Sequence, residues 1–364
     1  MKIAIFHDYI GAIGGGEKLV LTLARELNAD VITTDIDKDS IKKMEFEDVN
    51  IISLGSTVKL PPLKQISASI KFALCDYSKK YDFFIFSGNW AHFASKKHKP
   101  NLYYCHTPVR AFYDLYDSFL NRQHFYIKPL FILWVAIHKP LSEYYMRYVE
   151  KIIANSKNTQ SRIKRYMHKD VDIIYPPIDT SKYKFEISGD FWLSVNRLYP
   201  EKRVELQIDA FRLIPEEKLI IVGSYAEGDH AAKYAERIKN NLPKNVELRK
   251  AVTDKELIYL YANCKGLITT AMDEDFGMTP VEAMASGKPV ICVAEGGYLE
   301  SVIDRVTGMY IKPNIKDLML AMDIVSNNHE KYRNVCEKQA RKFDKSIFIK
   351  SMKNIIEKGN KKYE

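Results

Sequence analysis

The chain has 364 residues, 46% hydrophobic and 28% charged, a composition that suits two or three folded domains and excludes general disorder. Its net charge of +9 favours anionic partners such as nucleotides or an acidic membrane surface, but no RNA- or DNA-binding motif is present and nucleic acid is not expected. Cys75, Cys105, Cys264, Cys292 and Cys336 form no C-x-x-C pair and are odd in number, which argues against a disulfide framework or zinc site and for a reducing, cytoplasmic setting.

The N-terminal MKIAIFHDY lacks the apolar core and cleavage site of a signal peptide and reads as a first strand. A glycine-rich loop, Gly11 to Gly16, follows, and EKLVLTLAREL has helical spacing with Leu19, Leu23 and Leu27 on one face. ADVITT, NIISLG, YDFFIFSG, NLYYCHT, VEKIIANS and DVDIIYPP read as further strands, with LKQISASIKFAL helical. The run LFILWVAI, Leu130 to Ile137, is too short to span a bilayer, which needs ~20 residues. It reads as a buried helix or as an interfacial segment, a role that Trp134 and the flanking cations suit. The stretch Tyr175 to Phe185, with Pro176 and Pro177, reads as a linker.

A second alternation then begins. FWLSVN, KLIIVGS, NVELRKAV, GLITTA and KPVICVA are strands. VELQIDAFRLI, HAAKYAERIKNNL, TDKELIYLYANC and VEAMAS are helices, the third opened by a Thr253/Glu256 capping box. Strands separated by helices imply parallel pairing. The fold class is therefore α/β, two tandem Rossmann-like domains, 1–182 and 183–345, with a C-terminal helix at about 346–364 that packs back on the first. The lysine-rich tail from Glu330 reads as a solvated helix face, with a membrane or acidic-acceptor face as the alternative. Ligands of such sheets bind at the strand C-termini, so the cleft between the domains is the expected active site.

The stretch AMDEDFGMTPVEAMASG, Ala271 to Gly287, carries the most chemistry. Thr279 is expected at the N-cap, Pro280 at N1, Glu282 at N3, and Gly287 past the helix end. Gly277 lets backbone approach a ligand, and the free N–H groups of the helix start suit a diphosphate. Glu274 and Glu282, spaced Glu–x7–Glu, would bind hydroxyls of a sugar and a ribose, although Glu282 could equally complete a capping box. Arg197 and Lys202, in the loop after FWLSVN, would neutralise a diphosphate, or be ordinary surface cations. Asp35–Ile36–Asp37 reads as a loop rather than a metal motif.

The motifs SVNRLYPEKRVELQIDAF and EDFGMTPVEAMASGKPVICVAEGGYLESVIDRVTGMYI resemble the retaining, GT-B-fold glycosyltransferases of family 4. CHTPVRAFYDLY and ANSKNTQSRIKRYM resemble the branch with bacterial mannosyltransferases of O-antigen and exopolysaccharide assembly. The resemblance implies roles. Glu274 would hold donor-sugar hydroxyls and Glu282 the ribose. The backbone of Phe276, Gly277, Met278 and Thr279 would touch sugar and phosphate, and Arg197 and Lys202 would grip the diphosphate. Gly15 and Gly16 would let backbone approach the donor, His106 would sit near the donor sugar, and Arg110 would contact the acceptor. Metal-independent catalysis is expected, with no cofactor. The expected donor is GDP-mannose or a UDP-hexose. The expected acceptor is a glycan or polyprenyl-linked saccharide of cell-surface polysaccharide such as lipopolysaccharide, met at the inner face of an anionic membrane. Two other readings compete: a GT-B-fold UDP-N-acetylhexosamine epimerase and a non-catalytic sugar-nucleotide-binding subunit.

Overall fold

The computed structural model describes residues 1–11, 14–223, 232–250 and 252–360. It divides into two compact units, Met1–Tyr175 with the segment from Ile349 onward, and Pro176–Phe348. Ala12 and Ile13 of the glycine-rich loop, Ser224 at the end of KLIIVGS, His230 and Ala231 at the start of HAAKYAERIKNNL, and Ala251 in NVELRKAV lie outside the described residues.

The first unit is built on seven strands: β1 (Ile3–His7), β2 (Asp30–Thr33), β3 (Ile51–Ser53), β4 (Phe83–Ser87), β5 (Asn101–Cys105), β6 (Lys151–Ala154) and β7 (Asp172–Ile173). Their order is β3-β2-β1-β4-β5-β6-β7, all parallel. Every residue of β1, β4 and β5 is buried, because helices cover both faces of a parallel sheet and leave no side for polar alternation. β7 is only two residues long, shorter than DVDIIYPP suggested. The first helix, Gly15–Leu27, starts at the glycine pair rather than at Glu17. It buries Leu19, Val20, Leu23 and Ala24 and ends on Asn28, whose left-handed backbone (φ 49°) lets its N–H bond back to the last turn.

An aromatic core fills one side of the sheet. Phe6 packs with Phe86 and His98, and Phe84 with His98, and Trp90 and Phe112 pack with Trp134 and His138. This corrects the interfacial reading of Trp134. The helix Lys128–Met146 turns Phe131, Trp134, Val135 and His138 into the core, while its opposite face stays exposed. The LFILWVAI run is helical as expected but buried on one side only. The last helix, Lys345–Asn360, brings Gly359 against Phe83, where an added Cβ would lie 2.9 Å from the ring.

The second unit has six strands: β8 (Phe191–Val195), β9 (Lys218–Val222), β10 (Val246–Arg249), β11 (Leu267–Thr269), β12 (Val290–Val293) and β13 (Gly308–Ile311). Their order is β10-β9-β8-β11-β12-β13, again all parallel. Thr253 caps its helix through Oγ1, which accepts the Glu256 N–H at 3.2 Å. The ends of the unit meet: Ile178 N–H donates to the Phe343 carbonyl at 3.1 Å, and Lys345 N–H to the Ile178 carbonyl at 2.8 Å. Four cysteines are buried and Cys75 is half-buried, all as free thiols. Among the described residues no helix is long and apolar enough to cross a membrane.

Gly308 begins β13 directly against the Val290 backbone, and a Cβ there would overlap the Val290 carbonyl. Gly308→Ala should therefore force the β12–β13 pair apart and cost about 1–3 kcal/mol, visible as a lower midpoint in urea unfolding.

Candidate active site

In a doubly wound sheet the connections diverge where the strand order reverses, and ligands bind at the carboxyl ends there. That point lies between β1 and β4 in the first unit and between β8 and β11 in the second.

At the first, Asp8 follows β1 and turns its buried carboxylate onto the loop after β4. It accepts the backbone N–H groups of Asn89, Trp90 and Ala91 at 2.5, 2.7 and 2.9 Å. Gly88 (φ 97°) is required beside it, since a Cβ would lie 2.6 Å from the carboxyl carbon. Burial pushes the Asp8 pKa up to about 6 against the pull of those three N–H groups. His106 follows β5. Its Nε2 lies 2.8 Å from Ser87 Oγ, and its carbonyl accepts from Thr159 Oγ1 at 3.0 Å. Burial, with nearby His7, holds its pKa down to about 4, although Glu17 opposes. His106 is therefore neutral at pH 7, a hydrogen-bonding group rather than a cation. An added Cβ on Gly16 would lie 3.9 Å from the His106 ring, so the glycine-opened helix start and the histidine are neighbours. Arg110 is tied to Asp114 at 2.6 Å in its own turn. Both carboxylates of Asp35–Ile36–Asp37 are engaged locally: Asp35 accepts from Thr57, and Asp37 caps the Lys38–Lys43 helix.

At the second switch point, Lys202 and Glu274 form a partly buried ion pair. The loop carrying Lys202 is fixed from β11, because Thr270 Oγ1 donates to the carbonyls of Lys202 and Arg203 at 2.8 and 3.0 Å. Arg203 pairs with Glu295 at 2.9 Å, and Glu295 also accepts the Asp273 N–H at 3.2 Å. Arg203 and Asp273 both hold left-handed backbone, φ 48° and 47°. Such strain persists only where surrounding contacts enforce it. Arg197 is exposed on the same loop.

The helix after Glu274 runs Met278–Ala285 with Gly277 at its N-cap (φ 81°) and no side-chain cap. This corrects the expected start. Thr279, Pro280 and Glu282 lie inside the helix, and no capping box forms. The carboxylate of Glu282 instead accepts from Tyr261 at 2.8 Å and from Tyr183. A Cβ on Gly277 would meet the Tyr298 ring at 2.6 Å, so only glycine turns here. Phe276 buries its ring against Phe343 and leaves only its backbone for a ligand. Met278 and Thr279 are half-buried at the helix start. Gly287 (φ 68°) follows the last turn, as expected.

Residues 13–182 match the family model Glycosyltransferase Family 4, and residues 179–343 match glycosyl transferases group 1. The chain belongs to these glycosyltransferases. It is 25% identical to the alpha-1,3/1,6-mannosyltransferase ALG2 of Dictyostelium discoideum over 98% of each chain. Its identity to ALG2 of Candida glabrata is 27% over 83% of this chain and 78% of that protein. In fold it is similar to Anabaena Alr3699/HepE in complex with UDP and glucose (TM-score 0.77, 19% identity, 97% and 99% covered). It is also similar to sucrose-phosphate synthase of Thermosynechococcus elongatus (TM-score 0.78, 16% identity, 98% of each covered). Two parallel-sheet Rossmann-like units are the GT-B plan, and the chain is a hexosyltransferase of that architecture.

Several neighbours of this glycosyltransferase site escaped the sequence reading: Asp8, Ser87, Tyr183, Tyr261, Glu295, Gly296 and Gly297. The Glu-Gly-Gly after β12 was the available signal, since glycines at a strand end imply close backbone approach. Gly297 N–H donates to the Glu274 carbonyl at 2.8 Å, and a Cβ on Gly296 (φ 58°) would lie 2.5 Å from that oxygen. Gly296→Ala should displace the Glu274 loop and weaken nucleotide-sugar affinity by about tenfold or more, measured by titration calorimetry.

Burial lowers His7, His106 and His138 to about 4 and His92 to about 3. The unfolded chain, with ordinary histidines, takes up protons first as pH falls through 6.5. Stability from these groups is present above that pH and is lost toward pH 4. Asp8, with its pKa raised to about 6, acts oppositely but is one group against four. Each unit of depression is worth about 1.4 kcal/mol, so the melting temperature should fall steeply between pH 6.5 and 4.5 in a calorimetric pH series. His106→Asn should flatten part of that fall.

Proposed function

We propose that the chain is a retaining mannosyltransferase that transfers mannose from GDP-mannose to a polyprenyl-linked saccharide. The observation that carries this reading is the Lys202–Glu274 pair beside Gly277 and the start of the Met278–Ala285 helix. A diphosphate suits the lysine and the free N–H groups of the helix start, and its arrival releases Glu274 to a sugar hydroxyl. Arg197 adds positive charge to the diphosphate, and Glu282, steadied by Tyr261 and Tyr183, holds the ribose. The likeness to α-1,3/1,6-mannosyltransferases across almost the whole chain supports mannose as the sugar transferred. It also supports a transferase over an epimerase or a silent subunit.

In the proposed reaction the bond between the anomeric carbon and the phosphate oxygen breaks as the acceptor hydroxyl oxygen bonds the same face. The hydroxyl proton passes to the departing phosphate. Lys202, Arg197 and the helix start stabilise the leaving charge by preorganised electrostatics without a metal. His106, neutral and set by Ser87, gives the sugar a hydrogen bond. Gly15 and Gly16 leave backbone exposed to the donor, and Arg110 meets an acceptor phosphate. The setting we infer is the cytoplasmic face of a membrane, in assembly of a cell-surface polysaccharide such as lipopolysaccharide.

Thermal unfolding in EDTA against GDP, GDP-mannose, UDP and UDP-hexoses tests the donor. A ligand at ~100 times its Kd adds ~2.7 kcal/mol, so a guanine-selective rise is expected. A uridine-selective rise would replace GDP-mannose with a UDP-hexose. Glu274→Gln should lower turnover about a hundredfold while donor binding survives. Wild-type turnover in a folded, donor-binding Glu274→Gln protein would remove Glu274 from the reaction.

A further inference from the structure

Three successive carbonyls of the loop that carries Lys202 are gripped by the residues just after β11. Met272 N–H donates to the Glu201 carbonyl at 2.7 Å, and Thr270 Oγ1 lies 2.8 and 3.0 Å from the carbonyls of Lys202 and Arg203. A threonine hydroxyl has one proton and a carbonyl oxygen can only accept, so that proton points into the loop. Behind it lies Gln207, on the inner face of the helix Val204–Leu213 and fully buried, as Thr270 is. Gln207 Nε2 donates to Thr270 Oγ1 at 2.8 Å. The amide's orientation follows from the same count. With its proton spent on the loop, Thr270 Oγ1 is left as an acceptor, and only the NH2 side of an amide can serve it.

By itself this arrangement is costly. Gln207 Oε1 is buried with no hydrogen-bond partner among the described residues, and a half-satisfied buried amide is less stable than an apolar side chain of similar size. The same helix buries Val204, Ile208, Ala210 and Phe211, surroundings that a leucine would suit. Arg203, whose carbonyl is one of those gripped, is held at φ 48°, a conformation that persists only where contacts enforce it. Both costs fall at one place, the backbone that sets Lys202 against Glu274. What the amide supplies there is direction: it occupies the inner lone pair of Thr270 and so keeps the hydroxyl proton on the loop.

We propose that Gln207 is a positioning residue: acting through the Thr270 hydroxyl, it holds the backbone of residues 200–203 so that Lys202 meets the diphosphate of the donor. The proposal rests on the reading of Lys202 as a diphosphate ligand. The test compares the full chain with Gln207→Leu, Thr270→Val and Thr270→Ser in two measurements. One is titration calorimetry with GDP and UDP. The other is ligand-free hydrogen exchange at the Lys202, Arg203 and Met272 amides, which donate to the carbonyls of Tyr199, Pro200 and Glu201. Gln207→Leu should keep or raise the melting temperature, since it removes the orphan acceptor. It should nevertheless weaken nucleotide binding about threefold to tenfold and speed exchange at those amides. Thr270→Val should weaken binding and speed exchange likewise, and Thr270→Ser should retain wild-type binding. The Gln207→Leu/Thr270→Val double variant should bind no worse than Thr270→Val alone, because both act through one hydroxyl. Wild-type affinity and exchange in Gln207→Leu overturn the proposal. A lower melting temperature with affinity and exchange unchanged also overturns it, by making the amide purely structural. If Gln207→Leu does not fold, equal affinity in Thr270→Val and Thr270→Ser overturns it. A wild type that binds neither GDP nor UDP defeats the transferase reading, and exchange, measured without ligand, still decides whether Gln207 holds the loop.

Discussion

Parallel strand pairing is the constraint on which the rest depends. Each strand of a parallel sheet must be reached by a crossover, so every carboxyl end gathers on one edge. His7, Ser87 and His106 come from β1, β4 and β5, distant in sequence, and meet only because those strands run the same way side by side. The same holds for Lys202, after β8, and Glu274, after β11. Where the order reverses, the loops part and leave room. Both units place their polar clusters there, and the contacts that hold those clusters (Asp8 on the Asn89–Ala91 backbone, Thr270 on the Lys202 carbonyl) bridge the two strands that flank the gap.

The two edges differ in electrostatic character. In the first unit burial holds His7 and His106 down to about 4 and so neutral at pH 7, while Asp8, pushed up to about 6, stays mostly a carboxylate held by three backbone N–H groups. Such an edge offers hydrogen bonds of fixed direction, which suits hydroxyl-rich ligands. In the second unit the side chains form ion pairs, Lys202 with Glu274 and Arg203 with Glu295. An edge of paired charges can exchange partners, which a doubly charged phosphate requires.

The strands were legible because apolar runs bounded by turn residues are what a twice-covered sheet demands. What stayed hidden depends on contacts between distant residues. Thr279 followed by Pro280 has the local form of a helix start, yet Gly277 takes that place because Tyr298, from a later strand–helix turn, crowds the backbone there. Glu282 looked like half of a capping box and instead serves as acceptor for two buried tyrosine hydroxyls from other elements. The run from Leu130 to Ile137 shows the limit of periodicity most plainly. A helix that is apolar on every side has no moment to say which side faces in, and only the aromatic partners Trp90 and Phe112 decide it.

The pairing of Lys202 with Glu274 has a cost and a use within the proposed reaction. A partly buried lysine left alone would lose hydration without compensation, so an acid nearby stabilises the unliganded edge. A diphosphate must then compete with Glu274 for the ammonium, which weakens ground-state binding. The competition couples two events. In that reaction a phosphate that takes the lysine would free Glu274 Oε2 for a sugar hydroxyl, which a sugar without a phosphate would not do. Discrimination of this kind would need both groups charged and in contact beforehand, which an acid at position 274 allows and a neutral amide would not.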